Sequence, residues 1–135
     1  MPDSVLKVCD RVQEADWQNE KHVPVIEIPD TIGAGDWVQV RISLGKAIEH
    51  PNTTEHHIRW IKCFFSPDDE KFTYELGRFE FGAHGESAEG PNKGPAYTNH
   101  YIIFSFKAKK PGTLHALAFC NIHGLWESDK RIELS

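Results

Sequence analysis

The C-terminal segment "LAFCNIHGLWES" places a cysteine and a histidine three residues apart, directly before a glycine: Cys120, His123 and Gly124. A thiolate and an imidazole at this spacing can reach one point from opposite sides of a turn. Such a pair suits a metal ion, which binds both groups, or a nucleophile with its base. The pair alone does not decide between these uses, because a free cysteine is more often a small buried hydrophobe.

Two other segments carry histidines near predicted strand ends. "NEKHVP" offers Glu20 and His22, and "IEHPNTTEHHIRW" offers His50 and the adjacent pair His56 and His57. If a strand begins at His56, alternation sends the two adjacent side chains to opposite faces, so only one of them can join a site. The pattern leaves open which one. Each histidine alone fits a surface or structural role, but three such segments together predict a Cys/His metal site.

Three kinds of chemistry fit these residue types. A Cys–His hydrolase needs a cysteine of lowered pKa, usually at a helix N-terminus, whereas Cys120 ends a predicted strand. A blue-copper carrier needs two histidines, one cysteine and a weak axial methionine, and the sequence has a single methionine, Met1. A non-haem iron site with several imidazoles and one thiolate is the third, and zinc accepts the same donors.

The elements that must position these residues have the pattern of β-strands. Seven stretches alternate or are rich in β-branched and aromatic residues: 23–29, 36–45, 56–65, 71–81, 100–109, 113–120 and 130–134. The first 18 residues are polar and predict an arm. Short strands without a long helix predict an all-β, immunoglobulin-like antiparallel β-sandwich, in a single domain over 1–135.

Alternation also predicts which residues share a buried face. One strand should bury Val38, Val40, Ile42 and Leu44, and another Ile102, Phe104 and Phe106. The glycine within "KFTYELGRFEF", Gly77, marks a bulge.

Composition and charge exclude several classes of protein. The net charge of −5 argues against a nucleic-acid binder, and no apolar run is long enough to span a membrane. The N-terminus has no apolar core typical of a signal peptide, so we expect a cytoplasmic protein. Three widely spaced cysteines make neither a disulfide framework nor a four-cysteine metal site.

The motifs "EKHVP", "EHPNTTEHHIRWI", "GRFEFGAHGES", "GPN" and "CNIHGLWES" resemble the superoxide reductases of the desulfoferrodoxin family, specifically the one-iron neelaredoxin class. The resemblance runs from about Trp17 to Leu134 in the same order. It implies one-electron reduction of superoxide to hydrogen peroxide, an external rubredoxin-like electron donor and a homotetramer. Because only Cys9 lies near the N-terminus, the four-cysteine iron domain of two-iron members is not expected.

The resemblance also implies a ligand set. A mononuclear iron, cycling between Fe²⁺ and Fe³⁺, is held by four equatorial histidines and one axial thiolate, which by motif position are His22, His50, His56, His123 and Cys120. His57 then faces away. Glu20 takes the sixth position on ferric iron, and Lys21 is the positive residue beside the open face of ferrous iron.

The surroundings of this site are predicted from the groups that usually hold metal ligands in place. Backbone N–H groups of Asn121 and Ile122 are expected to donate to the cysteine sulfur. Trp60 and Trp126 either wall the site or belong to the core. The remaining histidines are expected to be structural or surface residues: His84, His100 and His115.

Overall fold

The computed structural model describes residues 5–135, which are almost entirely β-structure. A single turn of 3₁₀-helix, Val8–Asp10, precedes eight strands. In chain order these are β1 (Val25–Glu27), β2 (Thr31–Ile32), β3 (Val38–Ser43), β4 (Ile58–Pro67), β5 (Tyr74–Glu80), β6 (Tyr101–Phe106), β7 (Gly112–Cys120) and β8 (Gly124–Leu134). None of the helical segments in this part of the chain has the length and apolarity needed to cross a membrane.

The strands form two sheets that enclose one core. The smaller sheet has the order β1-β3-β6 and the larger has the order β2-β8-β7-β4-β5. Neighbouring strands are antiparallel except for β2 and β8, which are parallel. Side chains from both sheets meet in the core, where Ile42, Ile61, Leu114 and Ile132 are fully buried. The predicted antiparallel β-sandwich is therefore confirmed.

The predicted strand faces also agree with the structure. Val40 and Ile42 are inaccessible to solvent on β3, and Ile102 and Phe106 are buried on β6. Cys63 pairs with Gly77, but the next residue of β4, Phe64, pairs with Glu75. Leu76 of β5 therefore has no partner on β4. The bulge predicted at the glycine is confirmed, and it accentuates the local twist of the sheet.

Three parts of the chain differ from the strand prediction. The last strand begins at Gly124 and not at 130, because a three-residue loop joins it directly to β7. Thr31–Ile32 forms a two-residue strand that was not predicted. Residues 1–4 of the predicted N-terminal arm lie outside the described part. The rest of the arm is attached to the larger sheet through the backbone of Gln13, whose N–H donates to the Leu125 carbonyl and whose carbonyl accepts from the Glu127 N–H.

This topology gathers the candidate residues at one end of the sandwich. His56 lies just before β4 and Cys120 ends β7, and these two strands are antiparallel neighbours. The start of one therefore lies beside the end of the other. His22 precedes β1, and His50 lies in the connection between β3 and β4. The segment before β1, the connection between β3 and β4, and the hairpin between β7 and β8 thus converge on the same edge.

Candidate metal centre

The hairpin between β7 and β8 explains the spacing of the cysteine and the histidine. Cys120 pairs directly with Gly124, whose φ of 81° closes a three-residue loop in the way that a glycine permits. The turn brings the His123 N–H to 3.4 Å from the Cys120 sulfur, and it places the His123 Nδ1 3.9 Å from the same sulfur. The CxxH spacing therefore directs both side chains to one point.

Four histidine rings surround that point as a square. Ring centroids lie 4.8 Å apart for His22 and His50, 4.9 Å for His50 and His56, 5.0 Å for His56 and His123, and 4.7 Å for His123 and His22. The diagonal from His22 to His56 is 6.3 Å. The side chain of Cys120 joins them, since its sulfur and the ring nitrogens of three of the histidines all lie within 4.8 Å of one another.

Two nitrogens of the square are spaced as ligands of one ion. His22 Nε2 lies 3.0 Å from His123 Nδ1. Two metal–nitrogen bonds of about 2.1 Å at a right angle put their nitrogens about 3.0 Å apart. The spacing is therefore the one that adjacent ligands of a single metal ion adopt.

Unpaired nitrogens show that the site fits a metal. The Nε2 atoms of His50 and His56 are buried and have no hydrogen-bond partner among the described residues. The His50 Nδ1–H donates to the Pro51 carbonyl at 2.6 Å, so its Nε2 carries the lone pair. Buried polar atoms without a partner cost free energy, and metal-binding histidines characteristically donate their second nitrogen to a carbonyl or carboxylate.

His22 has the same arrangement, with Glu20 as the acceptor. The His22 Nδ1–H donates to Glu20 Oε1 at 2.7 Å, and the His22 backbone N–H donates to the same oxygen at 3.1 Å. This tautomer turns the His22 Nε2 lone pair towards the centre of the square. Burial alone would raise the pKa of the Glu20 carboxyl, but these hydrogen bonds hold the pKa below its usual value.

Known proteins share this chain's sequence and fold over nearly its whole length. The sequence profile of the family described as Desulfoferrodoxin matches residues 14–129. This chain belongs to the desulfoferrodoxin family. Its relatives include a neelaredoxin of Megalodesulfovibrio gigas, 60% identical over 96% of this chain and 99% of the relative, and a superoxide reductase of Pyrococcus furiosus, 50% identical over 93% and 99%. The reduced superoxide reductase (neelaredoxin) of Archaeoglobus fulgidus superimposes with a TM-score of 0.85, at 52% identity over 92% of this chain and 99% of the other.

Burial favours the uncharged form of three histidines of this desulfoferrodoxin centre, His22, His50 and His56. Burial lowers the pKa of His50 to about 3, with smaller opposing and reinforcing effects from its neighbours. Burial also lowers the pKa values of His22 and His56, and nearby positive charge, including the Lys21 ammonium, lowers them further. Neutral imidazole is the form that binds metal. Lys21 directly precedes His22 in the chain and is half-buried.

Backbone geometry lets His50 approach the other ligand candidates. Gly45 has a φ of 81°, and a Cβ atom on it would lie 2.7 Å from the His50 backbone nitrogen. Any larger residue there would push the segment of His50 outward. The glycine therefore contributes to the desulfoferrodoxin site without contacting a metal.

The structure answers which of the adjacent histidines faces the square. His57 turns away and stacks on His84, with ring centroids 3.4 Å apart and planes 8° apart. Its Nδ1–H donates to the Thr53 carbonyl at 2.9 Å. His84 is itself buried beside β4, and its Nδ1 contacts Glu86 at 3.1 Å.

The neighbours of the centre agree only in part with the predicted surroundings. The Asn121 N–H donates to the His57 carbonyl at 3.1 Å, so its expected bond to the cysteine sulfur is wrong, and the donor is the His123 N–H. Trp126 does wall the site: its ring stacks on His22 with centroids 4.9 Å apart, and its Nε1–H donates to the His123 carbonyl. Trp60 lies elsewhere, stacked on Phe119.

Proposed function

We propose that this chain is a superoxide reductase. Superoxide, one electron and two protons give hydrogen peroxide at a mononuclear iron, for which the ligands are His22, His50, His56, His123 and Cys120. The observation that carries this proposal is the square of four imidazoles that shares one point with a buried thiol. The relatives named superoxide reductase, at half or more of the residues identical, support it independently.

The donor set favours iron over copper and zinc. Structural zinc sites hold four ligands, and blue-copper sites hold three strong ligands and one weak axial ligand, typically methionine. Here four donors lie within 4.8 Å of one another, from His22, His56, His123 and Cys120, and the His50 ring adjoins them. The single methionine of the sequence is Met1. Bound iron supplies one reversible electron, and a thiolate ligand adds electron density to it.

The protein's own groups prepare the site for a small anion. The Cys120 side chain is 1% exposed, so water does not compete for its sulfur, and the His123 N–H stabilises negative charge on it. Neutral histidines keep the local charge low, which favours the approach of superoxide. Lys21 is then the positive group that attracts the anion, against the net charge of −5 of the whole chain.

Glu20 has two uses in this proposal. Its carboxylate orients His22 through the bonds described above, and it would be the anionic group available to bind a ferric ion in the site. Both bonds from His22 end on Oε1, so we expect the carboxylate either to offer Oε2 to the iron or to move when it binds.

The Lys21→Ala variant tests the reaction and the steering together. In stopped-flow mixing of the ferrous protein with superoxide, we expect association to slow several-fold at low salt and the difference to shrink as salt rises, because exposed charges are screened beyond about 10 Å at 0.1 M. Lys109→Ala is the matched control: it removes the same charge from the turn before β7, about 25 Å along the strand from the site.

Each part of that experiment has a contradicting outcome. Wild-type protein that leaves superoxide unconsumed would overturn the proposed function. Rates independent of salt in both wild type and Lys21→Ala would remove the steering role alone.

Glu20→Ala, measured by the same stopped-flow mixing, should slow product release and change the ferric absorption spectrum. An unchanged spectrum would show that its carboxylate does not reach the iron.

The partners and setting follow from the same proposal. We propose a rubredoxin-like electron donor that approaches at the exposed His123 and Ile122, the part of the centre nearest solvent. We also propose a cytoplasmic homotetramer in which residues 1–135 form one iron-binding domain. Exposed apolar side chains on and beside the smaller sheet, such as Trp37 and Ile103, support contacts between copies. A monomeric mass in sedimentation would overturn the tetramer.

A further inference from the structure

One side chain joins the loop that carries the cysteine to the segment that carries His56. Asn121 makes three hydrogen bonds to that segment: its N–H donates to the His57 carbonyl at 3.1 Å, its Oδ1 accepts from the His57 N–H at 2.9 Å, and its Nδ2 donates to the Glu55 carbonyl at 2.9 Å. Asn121 directly follows Cys120, and His56 lies between the two residues that Asn121 holds. These bonds therefore fix a thiol relative to an imidazole.

The position of Asn121 in the sheet explains why a side chain is needed. The ladder between β4 and β7 ends with Ile58 opposite Cys120, after a register shift. Beyond this pair the chain turns into the hairpin loop. The Asn121 side-chain carbonyl takes the place of the missing backbone acceptor, since it receives the His57 N–H. The ladder is thereby extended by one step, as far as the metal centre.

We infer that Asn121 is a positioning residue of the metal centre, and this inference rests on the function proposed above. Its side chain sets the placement of the Cys120 sulfur relative to His56, and through that placement the strength of the iron–thiolate bond. Groups that orient metal ligands typically change metal affinity by about 10–100-fold when they are removed. We expect the Asn121 side chain to affect the iron only through the placement of these two ligands, and not by contacting the iron itself.

Asn92 supplies a matched control, because it holds the same segment from the other side. Its Oδ1 accepts from the Thr54 N–H at 2.9 Å, and its Nδ2 donates to the Glu55 carboxylate at 2.7 Å. Its φ is 62°, a conformation that glycine adopts readily. Asn92→Gly therefore loosens the segment without backbone strain, and leaves the bonds of Asn121 to Glu55 and His57 in place.

The test compares the wild type, Asn121→Ala and Asn92→Gly, all loaded with iron. We expect Asn121→Ala to shift the sulfur-to-ferric-iron absorption band and the midpoint potential and to weaken iron binding about tenfold or more. Asn92→Gly should leave the band and the potential unchanged. In the metal-free proteins, both variants should increase hydrogen exchange over residues 53–57. Both then loosen this segment, and only Asn121→Ala also shifts the band, so the shift reports displacement of the thiolate and not loosening.

Two outcomes overturn the inference while leaving the function intact: an Asn121→Ala protein with the wild-type band and potential, or equal shifts in Asn92→Gly. A wild-type protein without any sulfur-to-iron band would instead contradict the proposed function. If Asn121→Ala does not fold, Asn121→Asp replaces it: it keeps the acceptor for the His57 N–H, sets a carboxylate oxygen against the Glu55 carbonyl in place of a donor, and adds a negative charge beside the centre. The wild-type band and potential in that variant would also overturn the inference.

Discussion

Replacing Cys120 by serine is expected to abolish the sulfur-to-iron absorption band and to slow superoxide reduction strongly. The thiol is almost fully buried among the histidines, so no other sulfur can substitute for it. A serine hydroxyl does not ionise near neutral pH and is a poor ligand for iron in this setting. We expect the rate of superoxide reduction to fall by roughly two orders of magnitude or more, measured by stopped-flow mixing at equal iron content.

Cys63→Ser is the matched control for this substitution. Cys63 is also fully buried, but it lies in the core on β4, and burial raises the pKa of its thiol to about 12. The control places a hydroxyl in an apolar core, which costs about 1–3 kcal/mol of stability, and should leave the absorption band intact. A thiolate band that persists in Cys120→Ser, or that disappears in Cys63→Ser, would contradict the assignment of the ligand.

Removing the metal is expected to lower the melting temperature substantially. The metal-free protein buries the Nε2 atoms of His50 and His56 without partners, and a ligand present at a thousand times its dissociation constant adds about 4 kcal/mol of stability. For a chain of 135 residues this corresponds to a shift of roughly 10 °C or more. Calorimetry of the iron-loaded and chelator-treated protein measures it.

A pair of variants separates this effect from the general cost of a buried histidine. His84 is buried to the same degree as His50, and its Nε2 also has no partner, but it lies outside the square. We expect His50→Ala to lose much of the iron-dependent increment in melting temperature and His84→Ala to retain it. Equal increments in both variants would show that His50 does not bind the metal.

Alternation predicted the strands well because each buries one face. β3 and β6 alternate cleanly, and their predicted inner residues are the ones in the core. The first half of β8 was missed for the same physical reason: residues 127–130 are polar, since their strand faces solvent and the N-terminal segment. Polar outer strand residues give no signal that distinguishes them from a loop.

The candidate site was predictable as a set of residues but not as a geometry. The family resemblance named four histidines and one cysteine, and alternation required that only one of His56 and His57 face inward. The square arrangement of the four rings is visible only in the structure. The contribution of Asn121 was not predictable, because it depends on where the ladder between β4 and β7 ends after its register shift. The two-residue strand Thr31–Ile32 was missed for a similar reason, since its pairing with the end of β8 joins residues a hundred positions apart.

The products of a single reaction test the central claim most directly. Ferrous protein is mixed anaerobically with a substoichiometric amount of superoxide, with no other reductant present, and hydrogen peroxide, dioxygen and ferric iron are counted. The proposed function predicts one hydrogen peroxide and one ferric iron for each superoxide consumed, and no dioxygen. One hydrogen peroxide and one dioxygen for every two superoxide, with the iron still ferrous at the end, would show dismutation and contradict it.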